Sequence, residues 1–240
     1  MSLLAVLAMG AIVLTIPPRC FASETGGVKG RFIASPAVAT NDEGGKRVDG
    51  RPRGLSGVLV YLCSEANDAV SKKDIKQSKS ISVTLGRSGF DPSFVAMVRN
   101  QRLEVRTTSS IVHSLTFADS SPYVHTPKDG KYVFTFKTAS PVPRPLCCGR
   151  HVSECLKIFV HNNRFFAITD REGRFHIDSL PVGQVQLRVW HERTGYLNAR
   201  QSWRKGVVKL NLQSGKVEDL GTLDVSPVFL RAKKKKKGQR

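Results

Sequence analysis

A chain of 240 residues is long enough for one large or two modest domains, since a single hydrophobic core usually serves about 100–200 residues. With 40% hydrophobic residues, 20 Gly and 12 Pro, the composition is that of a folded protein and excludes disorder of the whole chain. The formal charge of +19 would suit a polyanion, but much of the excess is spread over predicted strand faces. The one dense cluster is Lys233 to Lys237, so the basic tail 227–240 reads as a disordered end for an anionic surface polymer or lipid headgroups, and nucleic acid is not the expected partner.

At the other end, residues Leu3 to Ile16 are almost wholly apolar, too short to span a bilayer comfortably, and lead to Pro17-Pro18 and Cys20-Phe21-Ala22. That pattern predicts a signal peptide over 1–22, export to the periplasm or the extracellular space, and no transmembrane segment after cleavage. An uncleaved amino-terminal anchor is the alternative. Cleavage leaves Cys63, Cys147, Cys148 and Cys155 in a compartment where disulfides persist. Four cysteines allow two bridges, or one bridge with one metal-bound thiolate and one spare thiol.

Along the mature chain the apolar pattern has period two. It predicts a first strand over Val28 to Ala34, then a Gly-rich charged loop from Asn41 to Gly54. Gly57 to Leu62 carries β-branched and aromatic residues with no charge between them, which predicts a buried strand. Ser64 to Ser80 is polar and reads as a linker. Short alternating pieces follow at Ile81 to Leu85, Phe94 to Val98, Leu103 to Arg106, Ser114 to Phe117, Tyr132 to Phe136 and Leu156 to Val160. None keeps an apolar face at helical spacing over three turns, so the class is all-β, a sandwich or barrel. Beyond them, Phe165 to Thr169 and Arg174 to Ile177 flank a turn at Asp170 to Gly173. Further strands are predicted at Gln184 to Trp190, Lys205 to Leu212 and Val217 to Val225, with turns at Leu180 to Gly183 and at Gln213 to Gly215.

The stretch from Leu146 to Cys155 carries the chemistry. It reads as a tight loop at the mouth of a strand, with thiols and an imidazole within a few residues, able to wrap one metal ion. Two imidazoles and a thiolate make a soft donor plane that suits copper, and a weak axial donor tunes its potential. The bland reading is a disulfide half and a surface ring: Cys148 could pair with Cys63 or Cys155. A zinc site from Cys147, His151 and Cys155 is a third option with an incomplete ligand set. His125, His161, His176 and His191 have no comparable sequence partners and read as surface or hydrogen-bonded groups.

Residues 81–160 resemble a cupredoxin. The matching pieces are Gly89-Phe90-Asp91-Pro92, the strand Leu103-Glu104-Val105 ahead of His113-Ser114-Leu115, the pair Tyr132 and Phe134, and Cys148 followed by His151. The resemblance implies copper held by His113, Cys148 and His151, with Glu154 where a short-loop member has Met, and one-electron transfer to a redox partner protein. A hard carboxylate there favours the oxidised metal, and Cys147 and Cys155 stand close enough to compete as ligands or to bridge.

A second resemblance is to the carboxypeptidase regulatory-like domain, a transthyretin-like sandwich. It rests on Thr169-Asp170-Arg171-Glu172-Gly173-Arg174-Phe175-His176-Ile177 continuing through Leu180-Pro181-Val182-Gly183. Its opening strands appear upstream at Gly27 to Phe32 and Gly57 to Leu62, which implies a discontinuous sandwich over 26–63 plus 163–226, a linker at 64–80, and a cupredoxin-like Greek-key sandwich over 81–162 inserted in it or packed against it. Together the two are similar to exported cupredoxin-domain proteins of the type labelled methylamine utilisation protein, in which a motif like Val189-Trp190-His191-Glu192 closes the second unit. Trp190 and His191 also read as a core indole and an edge imidazole. No nucleophile elbow, phosphate-binding loop or zinc-protease helix occurs, so catalysis is not expected. The competing expectation to copper is a metal-free extracellular sandwich presenting a basic surface to anionic cell-surface polymers.

Overall fold

The computed structural model describes residues 24–35, 52–63, 79–108, 113–117, 124–126, 130–149 and 151–225, with the side chains of 124–126 and 151–154 outside that description. The expected signal peptide, the basic tail, most of the 64–80 linker and most of the charged loop before Gly54 therefore lie outside the described residues. What is described is all-β, without a helix and in four sheets. No helix there is long and apolar enough to cross a membrane.

The strands run in order as β1 (Thr25–Ala34), β2 (Arg53–Gly54), β3 (Val58–Leu62), β4 (Ile81–Gly86), β5 (Gly89–Asp91), β6 (Phe94–Val98), β7 (Arg102–Thr107), β8 (His113–Phe117) and β9 (Val124–Thr126). They continue as β10 (Lys131–Thr135), β11 (Arg144–Cys148), β12 (His151–His161), β13 (Phe166–Ile168), β14 (Arg174–Pro181), β15 (Gly183–His191), β16 (Gly195–Tyr196), β17 (Val207–Leu212) and β18 (Val217–Val225).

Two sheets draw their strands from the two ends of the chain. One has the order β14-β1-β18 with β2 added to β1, and the other β13-β3-β15-β16 with β17 added to β15. Between them Val28, Phe32, Val58, Val60, Phe175, Ile177, Leu187 and Trp203 form one buried cluster. The other two sheets come wholly from the middle of the chain, in the orders β10-β7-β4-β5 and β6-β12-β11-β8-β9. Their shared core includes Val83, Leu103, Val105, Leu115, Leu146, Cys148, Leu156 and Ile158. Parallel neighbours β4 and β7 are connected through β6 on the opposite sheet, as parallel pairing requires a crossover rather than a hairpin.

The Thr169 to Gly183 pattern is explained residue by residue. The Thr169 hydroxyl donates to the Leu55 carbonyl at 2.7 Å and accepts from the Val58 amide at 2.9 Å, tying β3 to β13. Asp170 accepts from the Arg174 amide at 2.8 Å, which closes the turn and, with the Arg174 guanidinium, holds this carboxyl below its ordinary range. Gly173 has φ +79, and a Cβ there would sit 1.9 Å from the Phe32 carbonyl oxygen. Phe175, Ile177 and Leu180 then point into the core at alternate positions, with Ser179 at φ +57 shifting the parity before Leu180.

A third buried cluster lies between the two sandwiches. Leu59 and Tyr61 of β3 pack on Phe159 of β12, with Phe94, Ala96, Phe166, Ile168 and Trp190 against them. All five residues of β3 are therefore buried: Val58, Val60 and Leu62 face their own core, while Leu59 and Tyr61 face the seam. That double burial is why β3 carries an unbroken apolar run where a solvent-facing strand would alternate.

Candidate metal centre

The stretch expected to be a loop, 146–155, is mostly paired strand. β11 and β12 are antiparallel, with Leu146 opposite Leu156 and Cys147 opposite Cys155. Parity is the reason: Leu146 and Cys148 face the core, so Cys147 must face the other side of the sheet. There it meets Cys155 with a Cα separation of 4.2 Å and forms a disulfide. The bridge corrects two expectations. Cys155 is not available to Cys148, and neither Cys147 nor Cys155 offers a thiolate to the zinc set with His151.

Cys148 stands outside the disulfide and is 1% exposed. β11 is also paired with β8, where Cys148 lies opposite Leu115 and Cys147 opposite Thr116. His113, two residues before Leu115, is thus the diagonal neighbour of Cys148 on the same inward face. Its Nδ1 is 3.4 Å from the Cys148 sulfur, and the ring is 0% exposed. The Gly149 amide donates to the Ser114 carbonyl at 2.8 Å, continuing the β8–β11 contact past Cys148 and fixing its backbone. The imidazole from the early strand and the thiol from the late hairpin are therefore brought together.

His151 is the Cα partner of Cys148 across the β11–β12 ladder, and Glu154 precedes the bridged Cys155 on β12. The side chains of both lie outside the described residues. Among the described residues no group of three or more His, Cys, Asp or Glu gathers to hold a metal. The described part of the centre is thus two donors, an imidazole nitrogen and a sulfur, screened from water. That donor set fits a soft or borderline cation such as copper and fits a hard, oxygen-seeking one poorly.

The remaining histidines do other work. His161 is 7% exposed, against Tyr61 and Phe159 with ring centroids 5.4 Å away in each case, and its Nδ1 accepts from the Asn163 amide. His191, expected at an edge, is buried at the end of β15, with Nδ1 accepting from the Arg193 amide. Burial pushes the pKa of both rings down. His176 is half-exposed and paired with Asp178 at 3.0 Å, while the His125 side chain lies outside the described residues. No local pattern marks the seam residues Tyr61, Phe159 and His161, although the uninterrupted apolar run of β3 is a clue that both of its faces are covered.

Some of the charge on the sheet faces is paired. Lys29 meets Asp219, and Arg174 meets Asp170 and Glu172. Arg102, Arg106 and Lys131 all approach the single carboxylate of Glu104, at 3.6, 3.3 and 4.0 Å.

No family model and no curated protein matches the chain. Solved structures that match include variants of amicyanin, a cupredoxin. A methionine-to-alanine variant with Cu(I) is 15% identical, covers 42% of this chain and 98% of its own, and has a TM-score of 0.31. An oxidised proline-to-glycine variant is 15% identical, over 42% of this chain and 91% of its own, with a TM-score of 0.30. A second Cu(I) variant is 14% identical, over 42% and 98%, with a TM-score of 0.32.

Proposed function

We propose that this protein is an exported copper-binding protein of cupredoxin-like build, with His113, Cys148 and His151 as the principal ligands and Glu154 as a fourth, and that it carries single electrons to a redox partner. The observation that supports this reading is the buried contact between His113 Nδ1 and the Cys148 sulfur, 3.4 Å apart on strands 35 residues separated in sequence. A thiol kept out of a disulfide, beside an imidazole and away from solvent, is what a soft-metal site requires of its protein. Copper so held would supply one-electron exchange. The chain's own contribution is rigidity, because β8, β11 and β12 are consecutive members of one sheet. In this reading the middle sandwich, 81–162, bears the site, and the sandwich of 26–63 plus 163–226 is a non-catalytic support.

Titration of the folded, metal-free chain with copper(II) tests it. A blue absorbance is expected at one equivalent, lost in Cys148→Ser and His151→Ala and kept when 227–240 are deleted. Copper binding that survives Cys148→Ser unchanged would overturn the site.

A second reading, a metal-free module for anionic polymers, draws on the excess of Arg102, Arg106 and Lys131 over Glu104. Heparin retention that falls with salt and drops in Arg102→Ser/Arg106→Ser, with no copper bound, would favour it.

A further inference from the structure

We propose that the Cys147–Cys155 disulfide is a thiol-exchange site that takes a dithiol reductant, and that its reduction opens the buried His113–Cys148 pair. For its effect on metal the inference rests on the copper reading above.

Three observations carry it. First, the bridge closes an eight-residue separation that contains Cys148, His151 and Glu154, three of the four proposed ligands. Second, the ladder beneath it is irregular. One step along β11, from Cys147 to Cys148, corresponds to four along β12, from Cys155 back to His151. Up to the bridge the pairing is regular, with Arg144, Pro145, Leu146 and Cys147 opposite Ile158, Lys157, Leu156 and Cys155; beyond it a single β11–β12 pair remains, Cys148 with His151, and on its other side Cys148 pairs with Leu115 of β8. The disulfide is therefore the last regular pair between β11 and β12 before a bulge that leaves β12 residues without partners on β11. Third, Cys147 and Cys155 are each partly exposed, whereas Cys148 is buried, so a reductant reaches the bridge without entering the core.

The exchange is balanced. A reductant thiolate attacks one bridge sulfur, the Cys147–Cys155 bond breaks, and a mixed disulfide forms with release of one cysteine thiolate. The reductant's second thiol then displaces the other cysteine and leaves as a cyclic or linked disulfide. The protein gains two electrons and two protons, ending with two thiols. With the bridge gone, the β12 bulge can shift across the tip and uncover the Cys148 sulfur, while the pairing with β8 keeps Cys148 beside His113.

The test uses the full mature chain without metal. Cys148 is labelled with an alkylating agent and quantified by peptide mass spectrometry, before and after incubation with dithiothreitol under native conditions. Reduction is expected to expose Cys147 and Cys155 to labelling and to raise the Cys148 labelling rate at least tenfold. Labelling of Cys147 and Cys155 with no change at Cys148, or a bridge that resists dithiothreitol without denaturant, overturns the proposal. Copper titration of Cys147→Ser/Cys155→Ser, with no reductant present, gives the second arm, with at least tenfold weaker binding expected. Equal affinity in the variant and the parent overturns the gate. If the parent binds no copper, the copper reading fails, while the labelling arm still decides whether the bridge controls Cys148. Should the double variant not fold, the parent with and without dithiothreitol, followed by near-ultraviolet circular dichroism, decides the matter.

Discussion

The Lys157 ammonium is hydrogen-bonded to the Glu192 carboxylate, so the strand that carries Cys155 is tied to the end of β15 in the neighbouring sandwich. Lys157 lies two residues beyond the bridged cysteine, and its amide also donates to the Ser93 carbonyl at 2.9 Å. Next to Glu192, Trp190 meets Phe94 edge to face, with ring centroids 6.0 Å apart. The Val189-Trp190-His191-Glu192 run thus serves packing on both sides: Val189 enters its own core, and Trp190 and Glu192 hold the middle sandwich.

Replacing Glu192 by Gln should change the acid limb of stability. Burial alone would raise this carboxyl, but the Lys157 bond, together with His191 and Arg193, brings it below its ordinary 4.5. A depressed carboxyl gives a contribution that is complete above 4.5 and is lost as pH falls through the lower folded value. Solvent screens this half-exposed pair, which limits the cost of Glu192→Gln at neutral pH to about 1 kcal/mol or less. Urea midpoints measured from pH 7 down to about pH 3 should converge for the two proteins at the acid end. A difference that stays constant over that range would refute the assignment.

Two buried histidines, His161 at the seam and His191 at the end of β15, act at milder pH. Burial is the leading cause that lowers the pKa of His161 and of His191 below 6.5. The unfolded chain therefore binds protons first, and stability is full above 6.5 and declines as pH falls from 6.5 towards the lowered folded values. His161→Phe, which keeps an aromatic ring beside Phe159 and Tyr61, should flatten the decline between pH 6.5 and about pH 5, read as a shift in Tm with pH.

The strand pattern was legible because alternation is strict in β7 and β15 and, up to Asp178, in β14. What escaped the sequence was short or edge-placed: β5, β9 and β16 have two or three residues each, too few for a period to show. β11 was hidden for a different reason. Pro145 and the adjacent Cys147-Cys148 read as a loop, and only pairing with β8 on one side and β12 on the other makes the segment a strand. At the candidate centre, the nearness of His113 to Cys148 was accessible through resemblance alone, since no local rule joins residues 35 apart. Parity narrows the disulfide only once β11 is a strand.

Phe159→Ala should separate the two sandwiches in unfolding. The ring is fully buried, with Tyr61 at 4.7 Å and Phe166 at 6.4 Å between centroids, and both neighbours belong to the other sandwich. Removing it deletes the centre of a small cluster, at a cost of about 3–5 kcal/mol. Because the loss falls on the seam and spares the two cores, calorimetry should show two transitions in place of one. A single transition at lower temperature would mean that the sandwiches are coupled elsewhere.

The turn at Gly173 offers a comparison between space and backbone conformation. Gly173 and Gly183 both have positive φ, +79 and +92. A Cβ at Gly183 would meet nothing within 4 Å, so Gly183→Ala should cost only the left-handed strain of about 1–2 kcal/mol. At Gly173 the same carbon would overlap the Phe32 carbonyl at 1.9 Å and approach the Leu55 amide at 2.8 Å. Both are backbone atoms: Phe32 donates its amide to the Gly173 carbonyl at 2.8 Å, and its own carbonyl accepts from Leu55 at 2.9 Å. Relief would require breaking the contact between β1 and the β13–β14 turn, so Gly173→Ala should cost several kcal/mol more than Gly183→Ala in urea denaturation. Equal costs would show that the turn gives way easily, and that the glycine is needed for its backbone conformation rather than for the close approach of β1.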